Sequence, residues 1–250
     1  MPKSNYVVYL CVIYNHVMDK IMNKILVALA MVMTVLVTLS SCADSYSISG
    51  TSLQSVFESR TAYLEYHQGE KLVRLDSCEI VHGKFSMSGS LDSVMCVVLN
   101  MGGAALPVVL EKGDITVSVQ NAIMKVAGTP LNDRLYVFLT SRDSLTMQLA
   151  ELPKKEAELI LSGMDYDAVS IEMADEEVEI RSALDKLETN FIVENFDNVL
   201  GVTWFLELCN TAYAHYRYPT TTPQIDEIYG RAPDSFRNNP AVKDYMESVK

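Results

Sequence analysis

The sequence predicts an α+β fold: an N-terminal antiparallel β-sandwich or open barrel over residues 43–128, followed by a helical region over residues 129–250. Three observations carry that prediction. From residue 46 to residue 128, apolar residues recur in short alternating runs separated by Gly, Asn, Asp and Ser, the pattern of strands with one buried face. At Gly128 the period changes, and from Thr129-Pro130 onward apolar residues return every three or four positions. Strands gathered first and helices second favour a sandwich with a helical annex over interleaved βαβ units.

The strands can be justified in order. Residues 47–51 form the first, and residues 61–66 the second, with Ala62, Leu64 and Tyr66 on one face. Residues 71–80 run into His82-Gly83, which supplies a positive-φ turn. Residues 84–88 return with Phe85 and Met87 on one side and Ser86 and Ser88 on the other, so a hairpin is expected. Residues 94–99 are apolar on both faces and read as a central strand, whereas Pro107 within residues 106–110 suits an edge. After Gly113-Asp114, residues 115–120 alternate Ile115, Val117 and Val119 inward with Thr116, Ser118 and Gln120 outward.

Three helices announce their starts. In Thr129-Pro130, Thr222-Pro223 and Asn239-Pro240 a polar side chain stands where it can accept from free first-turn amides, and a proline follows where its missing N–H costs nothing. The helix from Thr222-Pro223 is expected to end before Gly230. Leu131, Leu135, Phe138, Leu139, Leu145 and Leu149 make one apolar stripe, and Ile180, Leu184, Leu187 and Phe191 another. Asp175, Glu176, Glu177 and Glu179 are expected at the start of that second helix, where carboxylates suit the macrodipole. Asp197 or Asn198 caps a further helix through Trp204 and Leu208, and residues 219–223 form a loop.

The first 42 residues carry an address. Lys24 is followed by the apolar run from Ile25 to Leu39, too short for a comfortable membrane span, and then by Ser40-Ser41-Cys42. This resembles the bacterial lipobox, in which the cysteine becomes the acylated first residue of the mature chain. The resemblance makes Cys42 the lipidation site, with palmitate among the expected acyl groups, and residues 1–42 an N-terminal extension and signal peptide. Translation can start at Met1 or at Met22; either start is removed by cleavage before Cys42.

Charge and cysteines narrow the function. The chain carries −12, and residues 1–42 hold three basic and one acidic residue, which leaves −14 on the remainder. Nucleic acid is therefore not an expected partner, because binding it needs clustered Lys and Arg to displace counterions. Beyond Cys11 and Cys42 there are Cys78, Cys96 and Cys209, with no Cys-x-x-Cys. A dithiol redox site or zinc knuckle needs paired thiols, so Cys78 and Cys96 are expected as buried free thiols in strands.

A resemblance rests on particular residues. Tyr46 to Gly50, Tyr63-Leu64, Leu75-Asp76-Ser77, Gly83-Lys84-Phe85, Gly89, Pro107, Gly113-Asp114 and Gly128 to Asn132 follow one another. That order is similar to the β-rich domain of unknown function 4369, which precedes thioredoxin-like disulfide reductases in Bacteroidetes lipoproteins. Phe191, Glu194-Asn195 and Gly201 resemble the segment that joins that domain to the thioredoxin fold. Longer members continue with Trp-Cys-x-x-Cys; this sequence ends at Lys250 without one, so the resemblance implies a fold rather than an activity.

Other chemistry finds little support. His67, His82 and His215 are far apart, so neither a metal nor any other cofactor is expected. Asp165 and Asp167 begin like a calcium loop but lack its glycine and read as a turn. Ser77 after Asp76 has no nucleophile elbow. Trp204, Tyr213, Tyr216 and Tyr218 can line a groove, but helical aromatics are more often core, which is the expectation. The sequence therefore predicts a non-enzymatic, lipid-anchored module of the cell envelope, periplasmic or surface-exposed. Its expected partners are the membrane and an envelope protein or ligand. The alternative is the targeting and docking part of a thioredoxin-like oxidoreductase whose catalytic domain is missing or separately encoded.

Overall fold

The computed structural model describes residues 44–52, 57–69, 71–120 and 123–249; Cys42 and the apolar run before it lie outside these residues. Asp44–Lys250 is one compact unit with its own cores. Eight strands come first: β1 Ser45–Ser52, β2 Thr61–Gln68, β3 Lys71–Glu79, β4 Lys84–Ser90, β5 Met95–Asn100, β6 Ala105–Leu110, β7 Gly113–Gln120 and β8 Ile123–Ala127. Helices follow: α1 Pro130–Leu161, α2 Tyr166–Val193, α3 Val199–Tyr216, α4 Pro223–Arg231, α5 Asp234–Arg237 and α6 Pro240–Ser248.

The strands form two four-stranded sheets, ordered β4-β1-β7-β8 and β3-β2-β5-β6. Their inner faces bury Ile48, Phe85, Met87, Ile115, Val117 and Val119 from one sheet and Ala62, Leu64, Val97, Leu99, Leu106 and Val108 from the other. Each set alternates along its strand, which is why the period-two pattern located these elements. β5 is central and β6, with Pro107, is an edge, both as expected.

Two features of the pairing differ from expectation. β3 and β4 are not a hairpin ladder. His82 and Gly83 both have positive φ, but only Val81 bridges Lys84, and the chain crosses there from one sheet to the other. Gly83 is required at that corner, because a Cβ would lie 2.3 Å from the Ser52 carbonyl oxygen. The second difference is that β1 pairs β7 in parallel, within sheets that are otherwise antiparallel. Parallel neighbours need a long crossover, and the whole second sheet is inserted between them. β8 was not foreseen as a strand, since Ile123 and Met124 are exposed and only Val126 is buried.

α1 runs along the side where β6 and β8 are the edges. Thr129 does not cap it by the foreseen bond. Glu111, in the β6–β7 turn, accepts instead from the first-turn amides of Leu131 (2.7 Å) and Asn132 (3.2 Å), and the Thr129 hydroxyl accepts from the Asn132 side chain at 2.8 Å. α1 and α2 then form an antiparallel arm. Phe138 stacks on Phe191 with centroids 3.9 Å apart, Arg142 pairs with Glu188 at 2.8 Å, and Lys155 pairs with Glu176 at 2.5 Å farther out. The foreseen Leu131–Leu149 stripe divides here. Leu135 and Phe138 enter the sandwich core, while Leu145 and Leu149 pack with Leu152, Val169, Met173 and Ile180 in the arm.

The acidic run 175–179 sits mid-helix rather than at a helix start, because α2 begins earlier, at the Asp165 cap, whose side chain accepts from Ala168 N. Its carboxylates therefore meet lateral cations: Glu176 meets Lys155 and Glu177 meets Arg181. Asn198, Thr222 and Asn239 cap α3, α4 and α6 as expected, though α4 continues through Gly230 to Arg231. Asn195 is fully buried between α2 and α3. It donates to the Phe191 carbonyl and accepts from Arg134 and Asn198, and Gly201 approaches its carbonyl so closely that a Cβ would be 2.2 Å away.

Candidate functional site

The two sides of the sandwich are finished differently. Along β6, Asn132 of α1 acts as a substitute strand: its amide oxygen accepts from Val109 N at 2.9 Å, and its amide nitrogen donates to Val109 O at 2.7 Å. The Tyr136 hydroxyl donates to the Pro107 carbonyl at 3.1 Å, and burial pushes that phenol well above its ordinary pKa. On the opposite side β3 and β4 are both edges. They are joined at one end by the corner at residues 80–84, where the Glu58 carboxylate accepts from His82 N and Gly83 N. From there they separate.

The separation opens a cavity of about 650 Å³ at the far end of the sandwich, lined by Tyr46, Tyr66, Leu75, Asp76, the β4–β5 turn from Leu91 to Ser93, Met95 and Leu110. A bulge shapes its wall. Leu64 pairs with Asp76 and Glu65 with Arg74, so Leu75 is an extra residue, and consecutive side chains at 75 and 76 both line the space. Arg74 stays on the outer face. It pairs with Glu65 at 2.8 Å, lies 3.9 Å over the Tyr63 ring, and holds a carboxylate that is only 4% exposed.

Tyr46 is the central group. It is 7% exposed and lies across Gly89, where any Cβ would come within 2.8 Å of its hydroxyl. That hydroxyl has no hydrogen-bond partner among the described residues and stays accessible, and Tyr46 lines the cavity. Burial, and secondarily the Asp76 charge, raise its pKa. Asp76 accepts only from its neighbour Ser77 N, through one oxygen, at 2.7 Å. Among the described residues that line the cavity there is no Lys, Arg or His.

The residues singled out from sequence fall elsewhere. Cys78, Cys96 and Cys209 are free. Cys78 and Cys96 are half-buried rather than buried, and burial raises the pKa of both. Cys209 is fully buried inside α3, its thiol pushed up to about 12. His67, His82 and His215 do not converge, and among the described residues no group of His, Cys, Asp and Glu could hold a metal. Trp204 packs at the main core, edge-on to Phe138, but Tyr213 and Tyr216 in the last turn of α3 and Tyr218 in the loop after it are exposed. Asp165 is the α2 cap rather than a turn residue. Tyr46 and Asp76 were legible only as a strand start and a strand carboxylate. An aspartate at an inward strand position was the available signal.

Residues 33–135 match the family model described as Domain of unknown function (DUF4369). No curated protein and no solved structure matches the chain. The matched span takes in every strand, the cavity residues, and the first turns of α1 with Glu111 and Asn132, so the sealed side and the open side both belong to it. No helix among the described residues is long and apolar enough to cross a membrane.

Proposed function

We propose that the chain is a non-catalytic cell-envelope lipoprotein module, held to a membrane through acylated Cys42, which works by binding a ligand or partner at the open end of its β-sandwich. The cavity around Tyr46 is the observation that carries the binding half. It combines apolar side chains, an accessible tyrosine hydroxyl with no partner among the described residues and a carboxylate with an unused oxygen, and its size falls within the usual range for ligand sites. The anchor half rests on the order Lys24, apolar run, Ser40-Ser41-Cys42. Catalysis by thiols is disfavoured: a nucleophilic cysteine has a lowered pKa and a near partner, whereas the three cysteines among the described residues have raised pKa values and are unpaired.

Two experiments test the two halves. Cells fed an alkyne-bearing palmitate should label the parent chain and not Cys42→Ser, because that thiol would carry the acyl group that gives membrane affinity. Label on the variant would remove the anchor from the proposal. A photo-crosslinking residue in place of Ser93, at the cavity rim, should yield an adduct in intact cells that the same residue at exposed Ile171 does not; identical adducts would remove the cavity.

A further inference from the structure

We infer that the cavity between β3 and β4 binds a protonated amine carried on an apolar body, with the ammonium held between the Tyr46 hydroxyl and the Asp76 carboxylate. An ammonium has only N–H donors, and the cavity offers it acceptors: the second Asp76 oxygen, the Tyr46 oxygen and, at the rim, Asp92. No cationic side chain among the described lining residues competes for those carboxylates, and an anionic ligand would meet two like charges. The rings of Tyr46 and Tyr66 add faces that attract a cation, while Leu75, Leu91, Met95 and Leu110 supply the apolar wall. Tyr46 is already 93% out of solvent, so little ordering is lost when its hydroxyl gains a partner.

Two sources carry this chemistry, a soluble amine and the amine headgroup of a membrane lipid. The inference rests on the reading of the cavity as the module's binding site but not on acylation of Cys42, so it is tested on the compact unit that begins at Asp44. Hexylamine, titrated at neutral pH and followed by NMR shifts of the Leu91 and Met95 amides, should bind, and hexanol and hexanoate should bind at least tenfold more weakly. Asp76→Asn should weaken hexylamine about tenfold. Tyr46→Phe, which keeps the ring, should weaken it less.

Flotation with phosphatidylethanolamine vesicles that hexylamine reverses, and that phosphatidylcholine does not reproduce, assigns the headgroup. Binding of hexylamine without flotation assigns soluble amines. Equal affinity for hexanol, undiminished binding by Asp76→Asn, or no hexylamine binding at all would overturn the inference. In those cases a Ser93 adduct in cells would leave the module reading standing.

Discussion

The sandwich has two side edges made from the same kind of short strand, and only one of them is closed. At β6 an asparagine and a tyrosine from α1 occupy the backbone groups that a further strand would take. At β3 and β4 no helix side chain does this among the described residues; the Cys78 thiol of β3 reaches the Ser86 backbone of β4. β3 stays exposed along most of its length, with Leu72 and Leu75 on the surface. An unpaired edge is a template for another chain, and folds blunt it by covering, by charge or by a bulge. The first device closes the β6 side. The bulge at Leu75 and the charges of Lys71 and Arg74 serve the β3 side, which leaves the end of the sandwich accessible while discouraging strand addition.

Breaking the seal should produce the largest effect. Asn132→Ala leaves the buried Val109 N–H and C=O without partners and removes the donor to the Thr129 hydroxyl, so a loss of about 3 kcal/mol is expected in urea unfolding. A loss below about 1 kcal/mol would mean that water or a shifted α1 replaces the amide. Tyr136→Phe removes one bond at the same edge and should cost about 1 kcal/mol.

On the open side, Asp76→Asn should change stability by no more than about 0.5 kcal/mol, since Asp76 holds only a neighbouring amide. A large loss there would make the carboxylate structural and reverse the contrast. The thiols give an independent gauge. N-ethylmaleimide at neutral pH should label Cys78, at the open side, before Cys96, which packs under Thr203, and should leave Cys209 unlabelled until the chain unfolds.

Glu58→Gln, at the corner that closes one end of the open side, is the smallest change. The two backbone N–H groups that donate to Glu58 hold its carboxyl below the ordinary range. Its contribution is therefore present above the unfolded-state pKa and lost as the pH falls through the lower folded value. The difference in melting temperature between parent and variant should be small near neutrality and vanish in acid; a difference that grows in acid would contradict the assigned bonds.

Several misassignments share one cause. The alternation of Phe85 and Met87 correctly marks a buried face, yet β4 lies beside β1 rather than beside its chain neighbour β3. β8 escaped notice because it buries one residue where its neighbour β7 buries three. The run from Asp175 to Glu179 reads as a helix start only while the true cap at Asp165 is taken for a turn. The exposed tyrosines at 213 and 216 follow helical spacing and Tyr218 stands just past the Arg217 cap, but spacing says neither whether a facing layer reaches that far nor where the helix stops.

By itself the sequence determined the α+β order, the inward faces of β2, β4 and β7, the central position of β5, the edge position of Pro107 and the caps at Asn198, Thr222 and Asn239, because each depends on residues within a few positions of one another. Tertiary structure alone decided the parallel β1–β7 pair, the capping of α1 by Glu111, the closure of β6 by Asn132 and the meeting of Tyr46 with Asp76. Each of these joins groups 20 or more residues apart, and a local pattern can say that a face or a polar atom needs a partner but not which distant residue supplies it.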